Sequence, residues 1–146
     1  MLSFLLLAHV LHPVPQSSAE VEAVIDAEQD ALFARDCEAV TSFWTEDLTM
    51  TVEDQLRASN RDELIVMCED IMASLPPAGS GPSMRPQILS RTIDMISTDV
   101  AYELTIRQSP RGRSSVAKLL VRTNGGWKIK HLHEALAPTP RATRPD

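Results

Sequence analysis

Basic charge is what this sequence lacks most. Its 14 Lys and Arg stand against 20 Asp and Glu, leaving a formal net charge of −6. That balance argues against nucleic acid and anionic membrane as partners. Long apolar runs are missing too: the longest, residues 2–11, is too short to span a bilayer. There are only two cysteines, Cys37 and Cys68, and no CxxC or Cys/His cluster at zinc spacing. Two cysteines allow one pairing, but spacing alone cannot bring them together, and buried free thiols are the commoner case. P-loop, nucleophile-elbow and dinucleotide fingerprints are absent, so no cofactor is called for.

What is present suits one globular domain: 146 residues, 43% of them apolar. The charge is unevenly placed. Between residues 20 and 73 the basic residues are Arg35, Arg57 and Arg61, whereas from 84 to 134 the acids are Asp94, Asp99, Glu103 and Glu134. This reads as an acidic helical layer on a basic sheet. The run 2–11, followed by the small residues Ser17, Ser18 and Ala19, has the length and ending of a signal peptide over 1–19. That reading implies a secreted or periplasmic protein. The alternative is an apolar N-terminal arm on a cytoplasmic one. Residues 20–137 form the expected domain. The tail 138–146 is rich in Pro, Thr and Arg and is expected to be disordered.

Val21, Val24, Ile25 and Leu32 recur at helical spacing and predict a helix over 20–34. Asp36 caps a short second helix with Val40, Phe43 and Trp44 on its inner face, ended by residues 45–47. Residues 48–52 alternate as a strand, and a loop runs to Asn60. Asn60 and Glu63 open a third helix, which Pro76-Pro77 stops. Residues 76–86 form a Pro/Gly/Ser loop able to act as a flap. Strands follow over 87–97, from 100, through 117–121 and over 126–136, with a hairpin signal at Asn124-Gly125. Three helices on a curved, mainly antiparallel sheet make an α+β layout with a hollow between the layers.

Strand alternation sets which side chains are expected in that hollow. With Lys128 and Lys130 in water, Trp127, Ile129, His131 and His133 face inward, provided no bulge intervenes. Tyr102 is expected inward with Leu104 and Ile106, and Ala117, Leu119 and Val121 opposite Lys118 and Arg122. Glu28 lies at the centre of the apolar stripe of Val21, Ile25 and Leu32, where a carboxylate must be paired, protonated or beside a wet pocket. Two readings stay open. In one, Glu28 exchanges a proton opposite His131 or His133 while Tyr102 orients the ligand and Trp44 and Trp127 line the hollow. In the other, Glu28 pairs with Arg35 or a sheet arginine. Glu28 with His131 and His133 also has the donor set for a two-histidine, one-carboxylate metal face, but such histidine pairs arise without metal and no metal is assigned. Asp54 sits at the end of the first strand, as a turn residue or a base.

Residues 35–40 (RDCEAV) and 43–47 (FWTED) resemble the "rDaealaalfadD" segment of the nuclear transport factor 2-like superfamily. Residues 125–133 (GGWKIKHLH) resemble the "GGWrIvhhH" ending of its SnoaL-like members. The resemblance covers residues 20–137 and implies a cone fold with an internal pocket, often as a homodimer. It also implies a small, mainly apolar ligand, either merely bound or turned over in a cofactor-independent isomerase or lyase step; the alternative is a non-catalytic binding or dimerisation module. Against the steroid isomerase members, Glu28 falls where they carry a tyrosine, and Asp54 stands two residues beyond their aspartate base.

Overall fold

The computed structural model describes residues 18–81 and 83–137, so the tail reading, and the signal-peptide reading apart from Ser18 and Ala19, lie outside the described residues. Helix α1, Ala19–Phe33, carries Glu20 and Glu22 in its first turn, where carboxylates favour the positive end of the helix dipole. It buries Val21, Ile25 and Glu28, one per turn. Asp36 caps α2, Cys37–Ser42, by accepting the amide of Ala39 at 2.9 Å. Helix α3, Arg61–Ser74, begins with a two-way cap. Asn60 accepts the Glu63 amide at 2.9 Å, and the Glu63 carboxylate reaches back to the backbone and hydroxyl of Ser59 at 2.7 and 2.9 Å. Those bonds, the backbone N–H of Ser59 first, hold the Glu63 pKa below its ordinary value.

Six strands make one open sheet. They are β1 (Trp44–Val52), β2 (Gln55–Ala58), β3 (Gln87–Met95), β4 (Val100–Ser109), β5 (Gly112–Thr123) and β6 (Gly126–Leu136). The order is β2-β1-β6-β5-β4-β3, with β1 and β6 parallel and every other pair antiparallel. The α+β layout expected from the sequence is the observed one, with two corrections. Trp44, expected on the second helix, and residues 45–47, expected to end it, instead open β1, where Trp44 pairs with Ile129 and is wholly buried. Residues 55–58 form a short edge strand rather than a loop.

The helices cover one face of the sheet, and the core lies beneath them: Val21, Ile25, Trp44, Leu48, Leu64, Leu120, Ile129 and Leu132 among others. Cross-strand partners share a face. Ala101 pairs with Leu120, Glu103 with Lys118, Thr105 with Val116 and Arg107 with Ser114, so this row faces the helices. Tyr102, Leu104 and Ile106 pair with Leu119, Ala117 and Ser115 on the uncovered face. The expected orientation of β4 and β5 is therefore reversed. Alternation separates two faces but does not say which one the helices cover, and here the uncovered face is the more apolar.

A bulge in β6 brings a further correction. Leu120 pairs with Ile129 and Leu119 with His131, so Lys130 is an extra residue. Beyond it the alternation shifts. Leu132, not His131 or His133, continues the buried row of Trp127 and Ile129.

Cys37 and Cys68 form a disulfide, 5.7 Å between Cα atoms, rather than the free thiols expected. It joins α2 to α3 across 31 residues of chain. Helix α2 has only six residues, too few to be stable without tertiary anchorage. Closing a loop of this length removes about 3–4 kcal/mol of unfolded-state freedom in the chain-entropy picture. Reducing the bridge, or replacing both cysteines with serine, is expected to lower the unfolding free energy in urea by about that amount. A loss under about 1 kcal/mol would mean the bridge does not constrain the fold.

Candidate functional site

The polar face of α1 meets the polar row of the sheet. Glu28 is 4% exposed and Lys118 3% exposed, and Lys118 Nζ donates to Glu28 Oε2 at 3.1 Å. Gln29 Nε2 donates to the same oxygen at 2.9 Å. Of the two readings for Glu28, ion pairing is thus the arrangement present, but with a lysine; Arg35 instead donates to the Pro76 carbonyl. Isolated, either buried charge would cost several kcal/mol, of order the effective desolvation penalty per ion.

Arg91 on β3 gathers three carboxylates: Asp26 at 2.8 Å, Glu103 at 3.3 Å and Glu22 at 3.6 Å. Burial alone would lower its pKa, but Asp26, then Glu103 and Glu22, outweigh that and raise it. Thr105 donates to Glu103 Oε1 at 2.5 Å. Arg107 donates to Ser114 Oγ at 3.1 Å and to Glu134 Oε1 at 2.7 Å.

Two hollows sit in this web. An outer cleft of about 290 Å³ lies between α1 and the start of β3, lined by Asp26, Gln29, Asp30, Arg85, Pro86, Ile88 and Arg91. Arg85 and Pro86 come from the expected flap segment. Arg85 pairs with Asp30 and lies over the Phe33 ring, 5.1 Å from its centroid. Deeper in is a cavity of about 20 Å³ bounded chiefly by Glu103, Thr105, Arg107, Lys118, Ile25 and Val116. Gln29, Ile88 and Arg91 line both. The cleft approaches the size of small-ligand sites, whereas the inner cavity has room for one water-sized group.

The sequence-predicted site residues divide between the two faces. Glu28 is beside the inner cavity through Lys118. His131 and His133 lie on the uncovered face, where the bulge turns them, with Nδ1 2.7 and 2.8 Å from the hydroxyls of Thr49 and Thr51. Tyr102 shares that face. The shared histidine–Glu28 site therefore does not assemble, and neither does the metal face drawn from the same residues. Trp44 and Trp127 are core residues and line neither hollow; Trp127 Nε1 donates to Glu20 at 3.3 Å and Arg122 stacks on its ring. Asp54 is exposed in the turn between β1 and β2. The expected apolar lining is replaced by charged and hydroxyl side chains, because the inner row of β4 and β5 is the polar one.

Sequence reasoning missed Lys118, Glu103, Arg91 and Arg107. One signal pointed to Lys118: a glutamate on a buried stripe requires a cation, and the sheet is where the cations are. Replacing Lys118 with Met is expected to cost about 3–5 kcal/mol in urea unfolding by leaving Glu28 uncompensated. The double change Glu28→Leu with Lys118→Met should recover most of it. Additive losses would show that the pair is not coupled.

Comparison with known proteins agrees with this architecture. A family model described as a SnoaL-like domain matches residues 21–139. No curated protein matches the sequence. Among solved structures, an NTF2-like protein of unknown function from Pseudomonas putida KT2440 aligns at a TM-score of 0.69 and 16% identity, covering 86% of this chain and 89% of its own. A ketosteroid isomerase-like protein from Erwinia carotovora atroseptica aligns at 0.64 and 18%, covering 86% and 100%. A cystatin-like domain of unknown function from Nostoc punctiforme aligns at 0.66 and 13%, covering 86% and 82%. At these identities the likeness speaks for fold alone. With most of the chain matched by the family model and with this sheet and helix order, the chain belongs to the SnoaL-like family.

Proposed function

We propose that this chain is a small-molecule pocket protein whose ligand enters the cleft between α1 and β3 and reaches toward Lys118. The observation that carries this is that the two hollows adjoin, sharing Gln29, Ile88 and Arg91 in their linings. The polar lining favours a ligand with hydrogen-bonding groups over the mainly apolar one expected. Protein purified from its native host should release a small molecule on denaturation, identifiable by mass spectrometry. Gln29→Trp fills the cleft and should abolish that release while leaving the circular dichroism spectrum unchanged. Release that survives Gln29→Trp would put the ligand elsewhere.

A second reading, proton transfer without a cofactor, is favoured by the buried Glu28–Lys118 pair, a ready acid and base at the cavity edge. In that reading Lys118 takes the part first given to His131 or His133. The disulfide suits an oxidising compartment, in keeping with an exported protein.

The homodimer reading draws support from the uncovered sheet face. Leu104 is 39% exposed amid Tyr102, Ile106, Ala117, Leu119 and Val121, an apolar patch suited to a second copy. Light scattering should give twice the chain mass for the native protein and the single mass for Leu104→Glu. A native monomer would remove this reading.

A further inference from the structure

Glu103, which lines the inner cavity, carries a buried acceptor without a partner among the described residues. Glu103 is 1% exposed, and its Oε1 receives Thr105 and faces Arg91. Its Oε2 has no hydrogen-bond partner among the described residues, and neither does Arg91 Nε. A buried carboxylate oxygen left in this state is costly, and native structures rarely keep one without a water or ligand to meet it. The space is there: Glu103 lines a cavity of about 20 Å³, enough for one small polar group.

The neighbours select among such groups. Arg91, Arg107 and Lys118 border the same cavity, so an ammonium group would meet three cations. A carboxylate would face the open Glu103 oxygen. A neutral hydroxyl satisfies both sides. It would donate to Glu103 Oε2 and accept from Lys118 Nζ, which uses one of its three N–H groups on Glu28.

We infer that the inner cavity is a hydroxyl subsite, with Glu103 as the residue that selects an alcohol-bearing ligand whose body occupies the outer cleft. This rests on the pocket reading above and names the class of molecule it takes. Binding of the hydroxyl gives the Glu103 Oε2 acceptor of the Glu103–Thr105–Arg91 cluster its missing donor. The apolar remainder of the ligand lies against Ile88 and Pro86 at the cleft.

Four probes on one ring scaffold test it: toluene, benzyl alcohol, benzylamine and benzoate, each titrated into the full-length protein. Binding is followed by backbone amide shifts of Gln29, Arg91, Thr105 and Lys118. Benzyl alcohol should bind at least about tenfold more tightly than toluene, the factor expected for a hydrogen bond to a charged acceptor. It should also bind more tightly than either charged probe. In Glu103→Gln, which presents an amide donor where the open oxygen was, the alcohol preference should fall below about twofold. The wild-type series decides by itself should that variant fail to fold. Equal binding of toluene and benzyl alcohol at these residues overturns the subsite and leaves the pocket reading standing. A preference for benzylamine or benzoate overturns it in favour of an ion site. Absence of any shift at these residues overturns both.

Discussion

A carboxylate on the buried stripe of a helix must find a cation, and the way Glu28 does so organises this molecule. Lys118 comes from the middle of β5, and its partner row across β4 is Glu103, Thr105 and Arg107. Turning Lys118 toward the helix commits the whole row to that side, since strand side chains alternate without exception between bulges. Arg91 on β3 then meets Asp26, Glu22 and Glu103. The helix is thus held to the sheet by two different means. At one end Val21 and Ile25 pack on Trp44, Ile129 and Leu120 in a dry core. At the other a charge network keeps the layers apart and leaves two hollows.

That division explains why the fold supports a pocket at all. A sheet packed on a helix by apolar contacts alone closes to interior density. Charged side chains resist this, because each needs partners at hydrogen-bonding geometry, and the gaps between such partners are polar and wettable. Lysine and arginine reach across the layer on long stems while their heads pair with carboxylates. The cost is several buried ions that must all be matched, and among the described residues Glu103 Oε2 is a buried carboxylate oxygen left without a partner. The disulfide and the two-way cap of α3 involve none of these charged residues and stabilise the fold separately.

Two histidines on the last strand illustrate how local reading fails. His131 and His133 do share a face, as their spacing requires. The extra residue at Lys130 changes which face it is. Nothing in residues 126–134 marks the bulge, since it arises from pairing with β5 and from the need to seat Leu132 in the core. The Thr49 and Thr51 hydroxyls then hold the rings on the uncovered side, among Leu119 and Ala117. The reversal of β4 and β5 has a similar origin. Tyr102, Leu104 and Ile106 carry the more apolar row, yet hydrophobicity ranks the rows without saying what covers each.

The sequence by itself determined the elements that rest on local chemistry. The caps at Asp36 and Asn60, the helical stripe of Val21 and Ile25, the Pro76-Pro77 stop and the Asn124-Gly125 turn act within a few residues, and the α+β order follows from them. It also marked Glu28 as a residue in need of a partner. Tertiary structure alone decided that the partner is Lys118, that the cysteines meet, that a bulge turns the histidines away, and that Glu103 is buried with one oxygen unpartnered among the described residues. Each of these depends on which distant strand lies alongside which, and long-range register is set by the packing of the whole sheet against α1 rather than by any window of residues.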